Sequence, residues 1–302
     1  MKIFDDYVLY RMNEKGLKSG ISTYILHAKQ QFDNDVVYTS QIVSPQGSRW
    51  WFYLSLSLKL IRKDYHVVFP FGYVPFGVWR KFTLVVHDTR YFEQGGLKNW
   101  LKAQYWRLSW SLCDSIIADS KFTLDSIHKY YNGGKTKMLW CPFNKEDLIK
   151  IERNRKGWLY TGHIEPRKNV IPLINYMISH KLHLTIIGAC LDINDEFDRL
   201  TQNEYINYLG VVSDDERSNL MSTHKYFINP SLYEGFSYTP LEAYYSGLIL
   251  YLSDIPVHRE LYNESGILFD PQDIQLLDVN ESHLNPPKNY TTNINEVFEE
   301  IF

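Results

Sequence analysis

The chain has 302 residues, enough for two α/β domains of about 150 residues each. With 44% hydrophobic residues and three widely separated cysteines (Cys113, Cys141, Cys190) it reads as an ordinary globular protein of a reducing compartment, with neither a disulfide framework nor metal-ligand spacing. The net charge of -3 hides an asymmetry: residues 1–156 carry 24 Lys+Arg against 14 Asp+Glu, and residues 157–302 carry 8 against 21, so the basic half suits an anionic ligand or an anionic membrane surface.

The N-terminus, MKIFDDYVLY, puts Asp5 and Asp6 where a signal peptide needs an apolar core. The most apolar run, residues 50–61, contains Ser55, Ser57 and Lys59, so neither a secretion signal nor a membrane-spanning helix is expected and the cytoplasm is the expected location. Short β-branched or aromatic runs follow at 7–10, 35–39, 65–69, 82–86 and 115–118. They alternate with helical stretches, the rhythm of βαβ units around a parallel sheet. The charged segment IERNRK at 151–156 reads as a linker, which divides the chain into domains 1–152 and 153–302. A second strand series then begins: GWLYT, LHLTIIG, INYLG, KYFIN, LILYL and GILFD. Ser213 with Glu216 spells a capping box, and Thr239-Pro240-Leu241-Glu242 spells another helix start, with Gly247 as its stop. Two doubly wound α/β domains are expected, with ligands beyond the carboxyl ends of the strands in a central cleft.

Three segments carry candidate chemistry. In PSLYEGFSYTPLEAYYSG, residues 230–247, Glu234 and Glu242 flank the backbone amides of Gly235, Phe236, Tyr238 and Thr239. Amides running into a helix N-terminus suit a diphosphate, and the carboxylates suit sugar and ribose hydroxyls. The plainer alternative makes Glu242 a capping residue and Glu234 a surface turn. In TGHIEPRKN, Gly162 lets the chain turn closely before Arg167 and Lys168 at a helix start, where paired cations neutralise a departing diphosphate without metal. His87, after the strand FTLVV, is placed to donate to a sugar hydroxyl or to act with a carboxylate that fixes its tautomer.

Glu, seven residues, Glu within PSLYEGF…TPLEA resembles the signature of glycosyltransferase family 4. TGHIEPRKN, LGVVSDDE, SDIPVHREL and GILFDPQD match the family's order and spacing, as do SGISTY, VVHDTR and ADSKFTLDSI more weakly. The resemblance spans nearly the whole chain. It implies the GT-B architecture of two Rossmann-like domains facing a cleft, with an acceptor-binding N-terminal domain, a donor-binding C-terminal domain, and a last helix that packs back on the first. It also implies retaining, metal-independent transfer of a hexosyl-type sugar from a nucleotide diphosphate-sugar, with no cofactor. The acceptor would be a saccharide or polyprenyl-diphosphate-linked, in bacterial surface polysaccharide synthesis. By the same resemblance His87 and Glu234 are catalytic. Gly20, Gly162, Arg167, Lys168, Val212, Gly235, Phe236, Tyr238, Thr239 and Glu242 join Glu234 in binding the donor. Two departures are visible: His163 stands where many members have arginine, and Ser19 where a second glycine is usual.

Rival readings have less support. Asp33-Asn34-Asp35 spells the metal site of a GT-A transferase but lies in a polar turn. No G-x-G-x-x-G supports an oxidoreductase, and no motif supports nucleic-acid binding. A GT-B protein that only binds or epimerises a nucleotide-sugar is the alternative from another class. Residues 49–63 and 97–112 combine tryptophan and leucine with Lys and Arg, as interfacial helices do, although Leu97, Leu101, Leu108 and Leu112 also recur at a spacing suited to a buried helix.

Overall fold

A computed structural model describes residues 1–14, 20–32, 36–143, 155–191 and 195–276. They fall into two compact units, within Met1–Asn144 and Lys145–Lys288. The expected boundary at 152, Ser19, Asp33-Asn34-Asp35 and the last helix lie outside the described residues.

The first unit runs β1 (Lys2–Phe4), α1 (Tyr7–Glu14), α2 (Gly20–Gln31), β2 (Val36–Tyr38), α3 (Thr39–Ile42), α4 (Arg49–Leu60), β3 (His66–Phe69), β4 (Phe82–Val86), α5 (Leu97–Leu112), β5 (Ser115–Ala118), α6 (Lys121–Tyr130), β6 (Thr136–Met138). Its parallel sheet has the order β2-β1-β3-β4-β5-β6. The β4 residues are all buried, as continuous apolar runs in parallel sheets are. Residues 7–10, expected as a strand, are instead the start of α1. The strand ends at Phe4, Asp5 accepts the Tyr7 amide at 3.3 Å, and the Tyr10 amide donates to the Asp6 carbonyl at 3.2 Å. Aspartate after a strand is thus a helix-start signal that outweighs β propensity.

The second unit runs β7 (Trp158–Thr161), α7 (Val170–Ser179), β8 (Leu184–Ile187), α8 (Asp195–Leu200), β9 (Ile206–Gly210), α9 (Asp214–Thr223), β10 (Tyr226–Asn229), α10 (Tyr238–Tyr245), β11 (Ile249–Ser253), α11 (Pro256–Tyr262), β12 (Gly266–Phe269). Its sheet, again parallel, has the order β12-β11-β10-β7-β8-β9. Chain order reverses between β1 and β3 in the first sheet and between β7 and β10 in the second. Those are the points where open α/β sheets hold ligands.

Ser213 and Glu216 form the expected capping box at α9. The box expected at Thr239 does not form: α10 begins at Tyr238, its cap Ser237 has a left-handed φ of 71°, and no side chain caps it. The turn at Ser237 brings the chain into the helix early, which leaves Thr239 inside it and frees Glu242 for another partner. Gly247, at φ 76°, closes the helix as expected, its amide donating to the Tyr244 carbonyl at 2.8 Å.

Candidate functional site

Past β7 the chain crosses the end of β8 so closely that a Cβ on Gly188, at φ 135°, would lie 2.0 Å from the Gly162 carbonyl oxygen. Only glycine fits there. Arg167 and Lys168 sit in a single 3-10 turn, Pro166–Lys168, and left-handed Asn169 separates that turn from α7, so the cations precede the helix and do not open it. The Leu232 amide donates to the Arg167 carbonyl at 2.8 Å, which ties the loop after β10 to this turn.

The tie brings Arg167, Lys168 and Glu234 together. Glu234 Oε1 accepts from Lys168 Nζ at 2.5 Å and Ser231 Oγ at 2.7 Å, and Oε2 accepts from Arg167 Nη1 at 3.2 Å. Burial opposes ionisation of Glu234, but Lys168 and Arg167 outweigh it and hold the carboxyl at about 2. Arg167 also pairs with Glu165 at 2.5 Å and donates to the Tyr233 carbonyl at 3.2 Å. Glu234 is therefore no surface turn: the two cations expected to meet a diphosphate are held by a buried carboxylate. His163, half-buried next to Gly162, lends its carbonyl to the Tyr160 hydroxyl at 2.9 Å.

Glu242 is also buried, and its Oε2 accepts from Arg217 Nη1 at 2.6 Å. Arg217 was not singled out by sequence, although it stands one residue past the capping box at the start of α9. Between the two glutamates Phe236 and Tyr238 are buried, ring centroids 5.3 Å apart, beside Gly235 and Thr239. Val212 is half-buried in the β9–α9 connection.

In the first unit Gly20 is the exposed first residue of α2. His87 follows β4, and its carboxylate partner is Asp119, just past β5, with Nδ1 2.9 Å from Asp119 Oδ2. Nε2 lies 3.2 Å from the Pro70 carbonyl, which only accepts, so Nε2 carries a proton. Burial raises the Asp119 pKa despite His87 beside it. Cys141 Sγ lies 3.7 Å from Asp119 Oδ2, and one ligand atom from each of His87, Asp119 and Cys141 lies within 4.8 Å of the others. Folding makes that cluster from residues whose linear spacing gives no hint of it. At the end of β1, Asp5 accepts from Tyr53 OH at 2.6 Å and from Thr39 Oγ1 at 2.7 Å. Asp6 accepts from Lys29 Nζ at 2.9 Å and Ser40 Oγ at 2.7 Å. Burial pushes Asp5 up to about 6, against the hydroxyl donors.

Of the two segments read as interfacial, α4 buries Phe52, Tyr53, Leu56, Ser57 and Leu60 and leaves Trp50, Trp51 and Leu58 exposed, whereas α5 is largely exposed. On α5 only Ala103, Ser109 and Trp110 are buried, whereas Leu97, Leu101, Leu108 and Leu112 are 73, 55, 54 and 60% exposed. The leucine repeat is therefore not a core stripe. Trp50 of α4 stacks on Phe76 at 5.1 Å, and Tyr105 of α5 donates to the Val74 carbonyl at 2.5 Å, so both helices touch the segment 74–76. Among the described residues no helix is long and apolar enough to cross a membrane.

Residues 155–278 match the family described as Glycosyl transferases group 1. The chain is 27% identical over 206 residues to O-antigen chain mannosyltransferase RfbU of Salmonella typhimurium, covering 64% of this chain and 58% of the relative. It is 29% identical over 146 residues to O-antigen chain mannosyltransferase B of Escherichia coli, covering 44% and 38%. It thus spans little more than half the length of the first relative and less of the second. AviGT4, a glycosyltransferase involved in avilamycin A biosynthesis, superposes with a TM-score of 0.63 at 11% identity, covering 99% of this chain and 96% of that one. Sucrose-phosphate synthase from Thermosynechococcus elongatus gives 0.60 at 15% identity, covering 76% and 68%. The fold is that of the GT-B glycosyltransferases, as the motifs implied.

Proposed function

We propose, on the premise that residues 155–278 are a Glycosyl transferases group 1 segment, that this chain transfers a hexosyl-type sugar from a nucleotide diphosphate-sugar, with retention and without metal, to a saccharide or lipid-linked acceptor in surface polysaccharide synthesis. The observation that carries the proposal is the cluster in which half-buried Lys168 and Arg167 hold the buried Glu234 at the switch point of the second sheet. A cationic pair in one short turn can follow charge from a carboxylate to a departing diphosphate as the glycosidic bond breaks, which is the work a divalent metal does elsewhere. Glu234 addresses the transferred sugar, and Glu242 the ribose. The amides of Gly235, Phe236, Tyr238 and Thr239, with Gly162 and Val212, complete donor binding. In the first unit His87 is the candidate donor to a sugar hydroxyl, once its Nε2 leaves the Pro70 carbonyl, and Gly20 is the candidate phosphate contact.

A mannosyl donor is the first to try, because both curated relatives named above are mannosyltransferases. The basic N-terminal half and the exposed face of α5 support an acceptor presented at an anionic lipid surface, with peripheral attachment at the cytoplasmic face. The test is a thermal-shift screen of GDP, UDP, ADP and dTDP, followed by a transfer assay with the matching sugar donors in excess EDTA. One nucleoside diphosphate should stabilise the protein and transfer should survive chelation. Stabilisation by none of the four, or a rate that needs added manganese or magnesium, overturns the reading.

A further inference from the structure

Within SDIPVHREL the donor site makes no use of His258, yet this side chain is fully buried on α11 and reaches the loop between the two glutamates. Its Nδ1 lies 2.9 Å from the Ser253 carbonyl, and its Nε2 lies 3.2 Å from Ser237 Oγ. A carbonyl can only accept, so Nδ1 carries the proton. Burial holds His258 down to about 4, hence neutral, and Nε2 is left as an acceptor for the Ser237 hydroxyl. The same Ser237 oxygen accepts from Asn229 Nδ2 at 3.2 Å, while Asn229 Oδ1 accepts the Ser231 amide at 3.1 Å, which fixes the orientation of the Asn229 amide. On the other side of the residue, Tyr262 OH donates to the Ser237 carbonyl at 2.9 Å.

Ser237 is the residue that needs holding. It is one of three non-glycine positions with positive φ among the described residues, at 71°, a conformation that costs an L-residue free energy and persists where the surroundings enforce it. Everything downstream depends on that turn, because it directs the amides of Tyr238 and Thr239 into the first turn of α10.

We infer that His258 is a positioning residue: with Asn229 and Tyr262 it clamps Ser237 in the left-handed conformation that aims the amide loop at the donor diphosphate. The inference rests on the donor-site reading of residues 234–242. His258 touches no reacting atom in this scheme and acts through Ser237.

The experiment titrates wild type and variants calorimetrically with whichever of GDP, UDP, ADP and dTDP binds wild type best. His258→Phe, Ser237→Ala and Tyr262→Phe should each weaken the nucleoside diphosphate, by about tenfold for His258→Phe and less for the other two. Glycine adopts positive φ freely, so in the His258→Phe background Ser237→Gly should recover affinity that Ser237→Ala does not. Long-range proton–nitrogen spectra should report His258 in wild type as the neutral Nδ1–H tautomer, with its Nε2 resonance shifted in Ser237→Ala. If His258→Phe does not fold, Ser237→Ala and Tyr262→Phe carry the test. Folded variants that bind as wild type does, or a His258 protonated at neutral pH, overturn the inference alone. Failure of wild type to bind any of the four nucleotides removes the donor-site reading and the inference with it.

Discussion

Both units bury carboxylates at the carboxyl ends of parallel strands, and the two treat them oppositely. In the second unit Glu234 lies against Lys168 and Arg167, and is held down to about 2. In the first, Asp5 is equally buried but meets hydroxyls, Tyr53 and Thr39, and is pushed up to about 6. Desolvation is common to both and the compensation differs: hydroxyl donors do not offset the burial of Asp5, which also has Asp6 beside it, whereas Lys168 and Arg167, with Ser231, do offset that of Glu234. A site built on cations is thereby ready to exchange one anion for another, which is what a diphosphate-binding unit requires.

The largest effect should come from breaking the charged cluster. Lys168→Ala leaves Glu234 buried with less compensation, so we expect a stability loss of about 3 kcal/mol by chemical denaturation, together with weaker nucleoside diphosphate binding. Adding Glu234→Gln should return part of the stability and none of the nucleotide affinity. A double variant no more stable than Lys168→Ala would mean that the pair is not coupled, and the contrast with Asp5 would lose its basis.

Substituting each carboxylate by its amide sharpens the comparison through pH. The folded pKa of Glu234 lies below its ordinary 4.5, so its ionised form contributes stability above pH 4.5 that is lost as pH falls towards about 2. Glu234→Gln should therefore destabilise at neutral pH, and the deficit should shrink on acidification through that window. Asp5 is the reverse case. Its folded pKa of about 6 exceeds the ordinary 3.8, so the native state favours the proton, and stability falls as pH rises from 3.8 through 6. Asp5→Asn should be neutral below pH 4 and stabilising by about 3 kcal/mol above pH 6. Melting curves of the two variants across pH 3 to 8 should slope in opposite directions relative to wild type (an assay range of about five pH units), and parallel curves would remove the distinction between the units.

The same division governs what was legible in the sequence. In the second unit the strands, the Ser213 capping box and the residues of PSLYEGF…TPLEA are local patterns, and parallel pairing places them predictably at strand ends. Arg217, Asn229 and His258 were missed because their importance comes from partners 25, 8 and 21 residues away respectively. In the first unit His87 was placed correctly after its strand, but Asp119 and Cys141 reach it only through the neighbouring strand β5 and the chain beyond β6. Residues 7–10 misled because tyrosine and valine favour strands, and the pattern alone does not reveal that Asp5 and Asp6 end one element and start the next. The helix start expected at Thr239 was missed for a related reason: nothing in its composition announces that Ser237 adopts a left-handed turn.

The smallest effects per residue belong to the surface of the first unit, and they test whether its excess of positive charge has a use that the acidic second unit lacks. The exposed leucines of α5 alternate with Lys98, Lys102 and Arg107, while Trp50, Trp51 and Phe76 extend the apolar surface. Two of the three cations are engaged locally, Lys102 over the Tyr91 ring at 4.3 Å and Arg107 with the Tyr130 carbonyl at 3.3 Å. Both side chains therefore lie along the protein surface, next to apolar area, as interfacial cations do. Anionic headgroups should attract each by about 1 kcal/mol, screened by salt because the Debye length at physiological ionic strength is about 8 Å. Co-sedimentation with vesicles should thus favour anionic over neutral lipid at low salt and lose that preference at high salt. Lys98→Glu, Lys102→Glu and Arg107→Glu should weaken binding additively, with Lys98→Glu, the change that disturbs no intramolecular contact described above, leaving the melting temperature untouched. Substituting Leu97 and Leu101 by serine should weaken binding to both lipids, because apolar insertion does not depend on headgroup charge. Equal partitioning to both vesicles, unaltered by any of these changes, would leave the exposed leucines of α5 as a surface for another protein and the positive charge of the first unit without a lipid partner.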